Sequence, residues 1–242
     1  MELALIVLVF GLASSGLAST LSRPLGTLSA DQPVIFELYY ESMCPDCQDF
    51  VLHEMGLNQT WSILKDTGIM EVRIYPYGNA QQEQLPDGSW NFTCQHGHRE
   101  CLGNIAEACI LDEAQYDPAL FMNVIACMEA SNDPADATEA CVKQWSKLDY
   151  DQINTCREGP KGIKLHHEMG LKTESLDPEH NFVPWIVVDG KHSNDIQNQA
   201  QDNLLKFVCE SFGGEKPSEC QEVKSVWDRM LALYQRIKID IL

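Results

Sequence analysis

The sequence predicts an α/β protein carrying a disulfide-stapled helical insertion, on three observations. A β-favouring run, VIFELYY (34–40), precedes an apolar stretch at helical spacing and a second strand-like run, IMEVRIY (69–75). The middle of the chain has helix-length patterning and holds Cys94, Cys101, Cys109, Cys127, Cys141 and Cys156. A proline-led strand, FVPWIVVDGK (182–191), then restores the α/β pattern.

Residues 1–18 read as a signal peptide. The apolar run from Leu3 to Leu12 is too short for a bilayer, and Gly16-Leu17-Ala18 offers a small-x-small cleavage site. Glu2 stands where a basic residue is usual. Residues 19–32 form a flexible lead-in, and residues 33–220 form the domain. Strand 34–40, helix 48–55 ending near Gly56 and Asn58, and strand 69–75 make a βαβ unit. The helical insertion occupies about residues 95–170. Asp117-Pro118 and Asp133-Pro134 serve there as helix caps followed by a first-turn proline. Residues 199–212 are expected to form one closing helix. Residues 221–242 form a C-terminal helix or a trimmed pro-segment.

Composition narrows the function. The chain has 36 acidic and 17 basic residues, a formal charge of −19, which argues against a phosphate-binding surface and hence against nucleic acid. No segment after the N-terminus reaches the ~20 apolar residues of a membrane span. An even set of 10 cysteines behind a signal peptide reads as extracytoplasmic usage. The sequons at Asn58 and Asn91 agree with that route and are candidate glycosylation sites.

Chemistry concentrates in CPDC, Cys44 to Cys47, where the first strand gives way to a helix. Such a pair serves as a redox dithiol, half a zinc site or a structural disulfide. Zinc needs a second ligand pair, and the only local cluster, Cys94, His96, His98 and Cys101, favours disulfides under oxidising conditions. A cysteine at a helix start meets unpaired N–H groups and the positive end of the dipole, which favours thiolate. Cys47, one turn on, lies within disulfide reach and can resolve a mixed disulfide with Cys44. The exchange needs no metal and no organic cofactor. At pH ~5 an ordinary thiol is only ~0.03% ionised. Lowering the pKa to about 5 gains on the order of 10³ in thiolate and loses ~40-fold in nucleophilicity, a net gain of roughly tenfold or more. Asp46 opposes the shift. Val183-Pro184 begins the late strand, where thioredoxin-like folds place a cis-proline facing the CxxC, so Pro184 joins the site.

The stretch CQHGHRECLGNIAEAC (94–109) resembles the signature of the gamma-interferon-inducible lysosomal thiol reductase family, CQHGxxECxxNxxxxC. Cys94, Gln95, His96, Gly97, Glu100, Cys101, Asn104 and Cys109 all match. The resemblance continues through YPYGNA (75–80) and FVPWIVVDGK. It implies a thioredoxin-like fold and reduction of disulfide-bonded, partly unfolded proteins at acidic pH, in lysosomes or endosomes or after secretion. It implies Cys44 as nucleophile, Cys47 as resolving thiol, a small-thiol or protein reductant, and glycans available to a sorting receptor. A role in antigen processing does not transfer with a motif.

Cys44–Cys47 and Cys209–Cys220 are expected as local disulfides, while the six central cysteines allow many pairings. His96 and Glu100 are read as structural hydrogen-bonding groups, and His166-His167-Glu168 as a solvated helix face. The rival functions are a secretory-pathway disulfide oxidase or isomerase, and a non-catalytic thioredoxin-like binding module.

Overall fold

The computed structural model describes residues 31–221. The expected signal peptide, most of the expected lead-in and the segment from residue 222 onward lie outside the described residues.

Strand β1 (Val34–Tyr40) leads through a short loop into α1 (Pro45–Leu52), then α2 (Leu57–Leu64) and β2 (Met70–Pro76). β2 runs parallel to β1, with Val34 opposite Met70 and Tyr40 opposite Pro76. This is the expected βαβ unit with one more helix. α1 starts at Pro45 rather than residue 48, because proline is suited to a first turn whose N–H needs no partner. Gly56 precedes α2 as its N-cap instead of closing α1.

A hairpin of β3 (Gln81–Gln84) and β4 (Trp90–Thr93) follows. β3 is polar throughout, and the alternation in β4, with Trp90 and Phe92 turned inward, covers only four residues. Five helices come next: α3 (His98–Glu113), α4 (Pro118–Glu129), α5 (Pro134–Trp145), α6 (Tyr150–Glu158) and α7 (Pro160–Glu174). Asp117 accepts from the Ala119 N–H at 2.9 Å and Asp133 from the Asp136 N–H at 3.2 Å, each satisfying a free helix-start donor. Disulfides join Cys94 to Cys101, Cys109 on α3 to Cys156 on α6, and Cys127 on α4 to Cys141 on α5.

β5 (Trp185–Val188) returns antiparallel to β1, completing a sheet of order β2-β1-β5. The closing helix is two: α8 (Asn194–Asp202) and α9 (Leu204–Ser211). They break at Asn203, whose side chain accepts from the Lys206 N–H at 2.8 Å and starts α9 afresh. A disulfide links Cys209 to Cys220.

The central strand buries Phe36, Leu38 and Tyr40 completely, each side chain contributing about 1.5–3 kcal/mol of apolar burial. α3 and α7 pack on β2, so the helical block shares one core with the sheet. That packing corrects the reading of His166 as solvated. It is fully buried between Tyr77 and Phe92, and burial pulls it down to about 3, keeping it neutral. His167 stacks on Trp90 at 3.9 Å, and only Glu168 faces solvent. Among the described residues no helix is long and apolar enough to cross a membrane.

Candidate active site

Cys44 is the N-cap of α1, with extended backbone and no side-chain cap bond. Its carbonyl accepts the first helical hydrogen bond, from the Gln48 N–H at 3.0 Å. Cys47 follows one turn on. Pro45 and Asp46 face solvent, while Cys44 is 6% exposed and Cys47 is 0% exposed. The sulfurs therefore lie just beneath the turn rather than on an open CPDC face. Both are free thiols in the structure, the reduced form of the pair, where sequence reading expected a Cys44–Cys47 disulfide.

The two thiols sit in opposite electrostatic states. Cys44 is lowered to about 6. The hydrogen bond from the Cys47 thiol contributes most, and the Cys47 and Asp46 backbone N–H groups add to it. Burial and the Asp46 charge oppose. Cys47 is pushed far up, first by burial, then by its bond to Cys44 and the Cys44 charge.

The loop before α1 is fixed from the insertion. The Ser42 N–H donates to Asn104 Oδ1 at 2.9 Å, and the Ser42 hydroxyl to the Glu100 carbonyl at 3.3 Å. Gly103 makes this approach possible, since a Cβ there would stand 2.4 Å from Ser42 Oγ. Pro184 follows a cis peptide after Val183. Gln197 on α8 holds the segment, donating to the Pro184 carbonyl at 2.9 Å and accepting from the Ile186 N–H at 2.9 Å. Val183, Pro184 and Phe182 face Asp46, Asp49 and His53 across a cleft of about 450 Å³ beside the turn.

Behind the turn lie four buried carboxyls, of which sequence reading singled out only Glu100, as a structural hydrogen-bonding group. Glu41, Glu100 and Glu107 are 0% exposed and Glu129 is 2% exposed. Tyr40 donates to Glu107 at 2.8 Å, and Glu129 lies beside Glu107. Burial raises both, Glu107 to about 7 and Glu129 further, with the Glu107 charge adding to the latter. Glu129 shares a side-chain hydrogen bond with Glu107, which holds its proton in place. Glu41 Oε1 accepts the Asn79 N–H at 2.6 Å, and Glu41 Oε2 lies 3.3 Å from His96 Nδ1. His96 Nδ1 stands 2.5 Å from Glu100 Oε2, and Asn79 Nδ2 donates to Gln95 Oε1 at 2.5 Å. The CQHG and YPYGNA motifs thus meet at the residue that opens the CPDC loop. Only the clustering of those motifs hinted at this in the sequence.

Of the glycosylation candidates, Asn91 is exposed on β4, and Asn58 is half-buried in α2 with its Oδ1 covered.

A family model described as "Gamma interferon inducible lysosomal thiol reductase (GILT)" matches residues 35–145. The chain is 40% identical over 189 residues to a Carassius auratus protein named gamma-interferon-inducible lysosomal thiol reductase, covering 78% of this chain and 72% of the relative. A Mus musculus protein of the same name is 36% identical over 198 residues, covering 81% and 75%. An Arabidopsis thaliana gamma-interferon-responsive lysosomal thiol protein is 32% identical over 200 residues, covering 80% and 78%. Among solved structures, Chlamydia trachomatis DsbA superposes with a TM-score of 0.50 at 11% identity, covering 71% of this chain and 86% of that one. That likeness supports a thioredoxin-like fold carrying a helical insertion.

Proposed function

The chain belongs to the gamma interferon inducible lysosomal thiol reductase family, and from that membership we propose that it reduces protein disulfides in an acidic compartment through Cys44 and Cys47. It is a thiol–disulfide oxidoreductase, and its substrates are disulfide-containing proteins. The Cys44 thiolate attacks a substrate disulfide, forming a mixed disulfide as the departing substrate sulfur takes a proton from the acidic medium. Cys47 then gives up its proton and attacks the Cys44 sulfur, and the second substrate sulfur leaves as a thiol. Two electrons pass to the substrate and the enzyme is left as a Cys44–Cys47 disulfide. A small thiol or a protein dithiol restores the pair.

What supports this reading is one helical turn holding a thiol lowered to about 6 beside one raised far above its ordinary value. At pH ~5 a group near 6 is about one-tenth ionised, roughly 300 times an ordinary thiol. A Brønsted slope of about 0.45 returns about 13-fold of that, leaving a net gain of about 20-fold. The cleft between Pro184 and Asp46 gives an extended substrate segment a place at the CPDC turn. Partly unfolded substrates suit it, because both sulfurs are recessed. The compartment is lysosomal, endosomal or extracellular, with glycans at Asn91 and Asn58 available to a sorting receptor.

Insulin reduction at pH ~5 tests the assignment. Cys44→Ser is expected to lower turnover by at least about 10³-fold. Cys47→Ser is expected to lose turnover too, but to accumulate mixed disulfides that Cys44→Ser cannot form. Retained turnover in Cys44→Ser would remove the assignment.

A further inference from the structure

His96 and Glu100 form the hydrogen bonds expected of them, and the setting of the ring carries the reading further. Its ring is 30% exposed, yet Nδ1 points down at two carboxylates whose side chains are fully buried, Glu100 at 2.5 Å and Glu41 at 3.3 Å. The His96 N–H also donates to Glu100 Oε1 at 2.9 Å, so Glu100 grips both backbone and ring. The Cys94–Cys101 disulfide closes the loop that carries the ring. Glu41 Oε2 has no hydrogen-bond donor, and its ion-pair partner is the imidazole. Glu41 is tied to the redox turn directly, since its carbonyl accepts the Cys44 N–H at 3.3 Å.

We propose that His96 is a positioning residue for the reduction, an imidazolium held over Glu41 and Glu100 that stabilises the Cys44 thiolate. The inference rests on Cys44 being the nucleophile. A buried carboxylate beside a thiolate destabilises it by like-charge repulsion, and a cation seated on that carboxylate offsets the repulsion. CPDC has no cation between its cysteines. Asp46 there opposes the thiolate, so the positive charge comes from the signature loop instead.

The groups that bear on the pair are few. His96 meets Glu41 from the end of β1 and Glu100 from α3, and its charge interacts with that of Cys44 at the start of α1. Cys44 also meets Cys47 and Asp46 on α1 and Glu129 on α4. Burial tends to lower His96, but the Glu100 bond and the Glu100, Glu41 and Cys44 charges together raise it above its ordinary value. In acid it is therefore charged, and burial raises Glu41 to about 7, so Glu41 is largely neutral there.

The test is the pH profile of Cys44 alkylation by iodoacetamide in the full chain, which reads the thiolate without needing turnover. His96→Gln is expected to raise the Cys44 midpoint by about one unit, slowing alkylation at pH ~5 about tenfold while leaving the alkaline plateau unchanged. His96→Lys, which keeps the cation, is expected to recover the rate to within about threefold. Glu100→Gln, which loosens the ring, is expected to fall between. An unchanged midpoint in His96→Gln overturns the proposal. A fall in the plateau of both His96 variants, with the midpoint kept, assigns the residue to structure and overturns it too. If Cys44→Ser retained insulin reduction, the reading of Cys44 as nucleophile would fail separately from either result.

Discussion

Cys44 and Cys47 share one turn of one helix, yet their surroundings divide them. Cys44 stands at the N-cap under backbone N–H groups, with exposed Pro45 and Asp46 above it. Cys47 points into the core toward Glu129, among carboxyls contributed by α3 and α4. Polar donors lower the first sulfur, and burial among acids raises the second. Three residues of separation are enough to split a lowered thiol from a raised one, because a helix start has one face toward solvent and one toward the core. The insertion supplies the core face, so it belongs to the chemistry as well as to the shape.

The sharpest way to disturb the Cys47 side is to release α3. Replacing Cys109 and Cys156 together with serine removes a link of sequence separation 47, and the chain-entropy account puts the loss at about 4 kcal/mol. Chemical denaturation of the double variant should show that loss at unchanged pH. A loss under about 1 kcal/mol would mean that α3 is held by packing alone.

Next in size is the buried acid pair. Glu107 and Glu129 have folded values above their unfolded ones, so their contribution is complete below about 4.5 and is lost as pH rises through the folded values. For Glu107, raised from 4.5 to about 7, the loss is on the order of 3 kcal/mol. Buried His166 works the other way. Its folded value is depressed to about 3, so it costs stability as pH falls below about 6.5. The difference between wild type and Glu129→Gln isolates the acids. The variant should gain stability relative to wild type as pH climbs from about 5 to about 8, read by denaturant midpoints. Parallel pH profiles would show that the pair does not carry the strain assigned to it.

The smallest expected effect lies on the exposed side. Asp46 opposes the Cys44 thiolate from the surface, where solvent screens it. Asp46→Asn should speed Cys44 alkylation at pH ~5 by about twofold, and added salt should narrow the gap. A slowing would mean that Asp46 helps the thiolate.

Much of this was legible in the sequence because it is local. The apolar alternation of β1, the proline after Cys44 and the Asp-Pro pairs each act within a few residues, and they describe the strand, the helix start and the caps that form. The hidden features depend on residues far apart. Glu41, Asn79, His96 and Glu100 meet only when β1, the turn after β2 and α3 come together. No spacing in the chain marks Glu41 as buried. His166 looks solvated beside His167 and Glu168 until α7 is laid on β2. Asn203 looks like one polar residue in a helix, because whether it continues or restarts the helix turns on its side chain reaching the Lys206 N–H. The hairpin strands QQEQ and WNFT owe their pairing to the turn between them, with Gly88 at φ +86°, a region that favours glycine.

The comparison of the two sulfurs reduces to how the chain titrates. Ultraviolet absorbance of the thiolate, followed from pH ~3 to ~10 in wild type and in Cys44→Ser, reads it directly. One thiolate should appear with a midpoint near 6, vanish in Cys44→Ser, and be joined by no second thiolate across that range. A first midpoint near 8.5, or a low midpoint that survives loss of Cys44, would contradict the account.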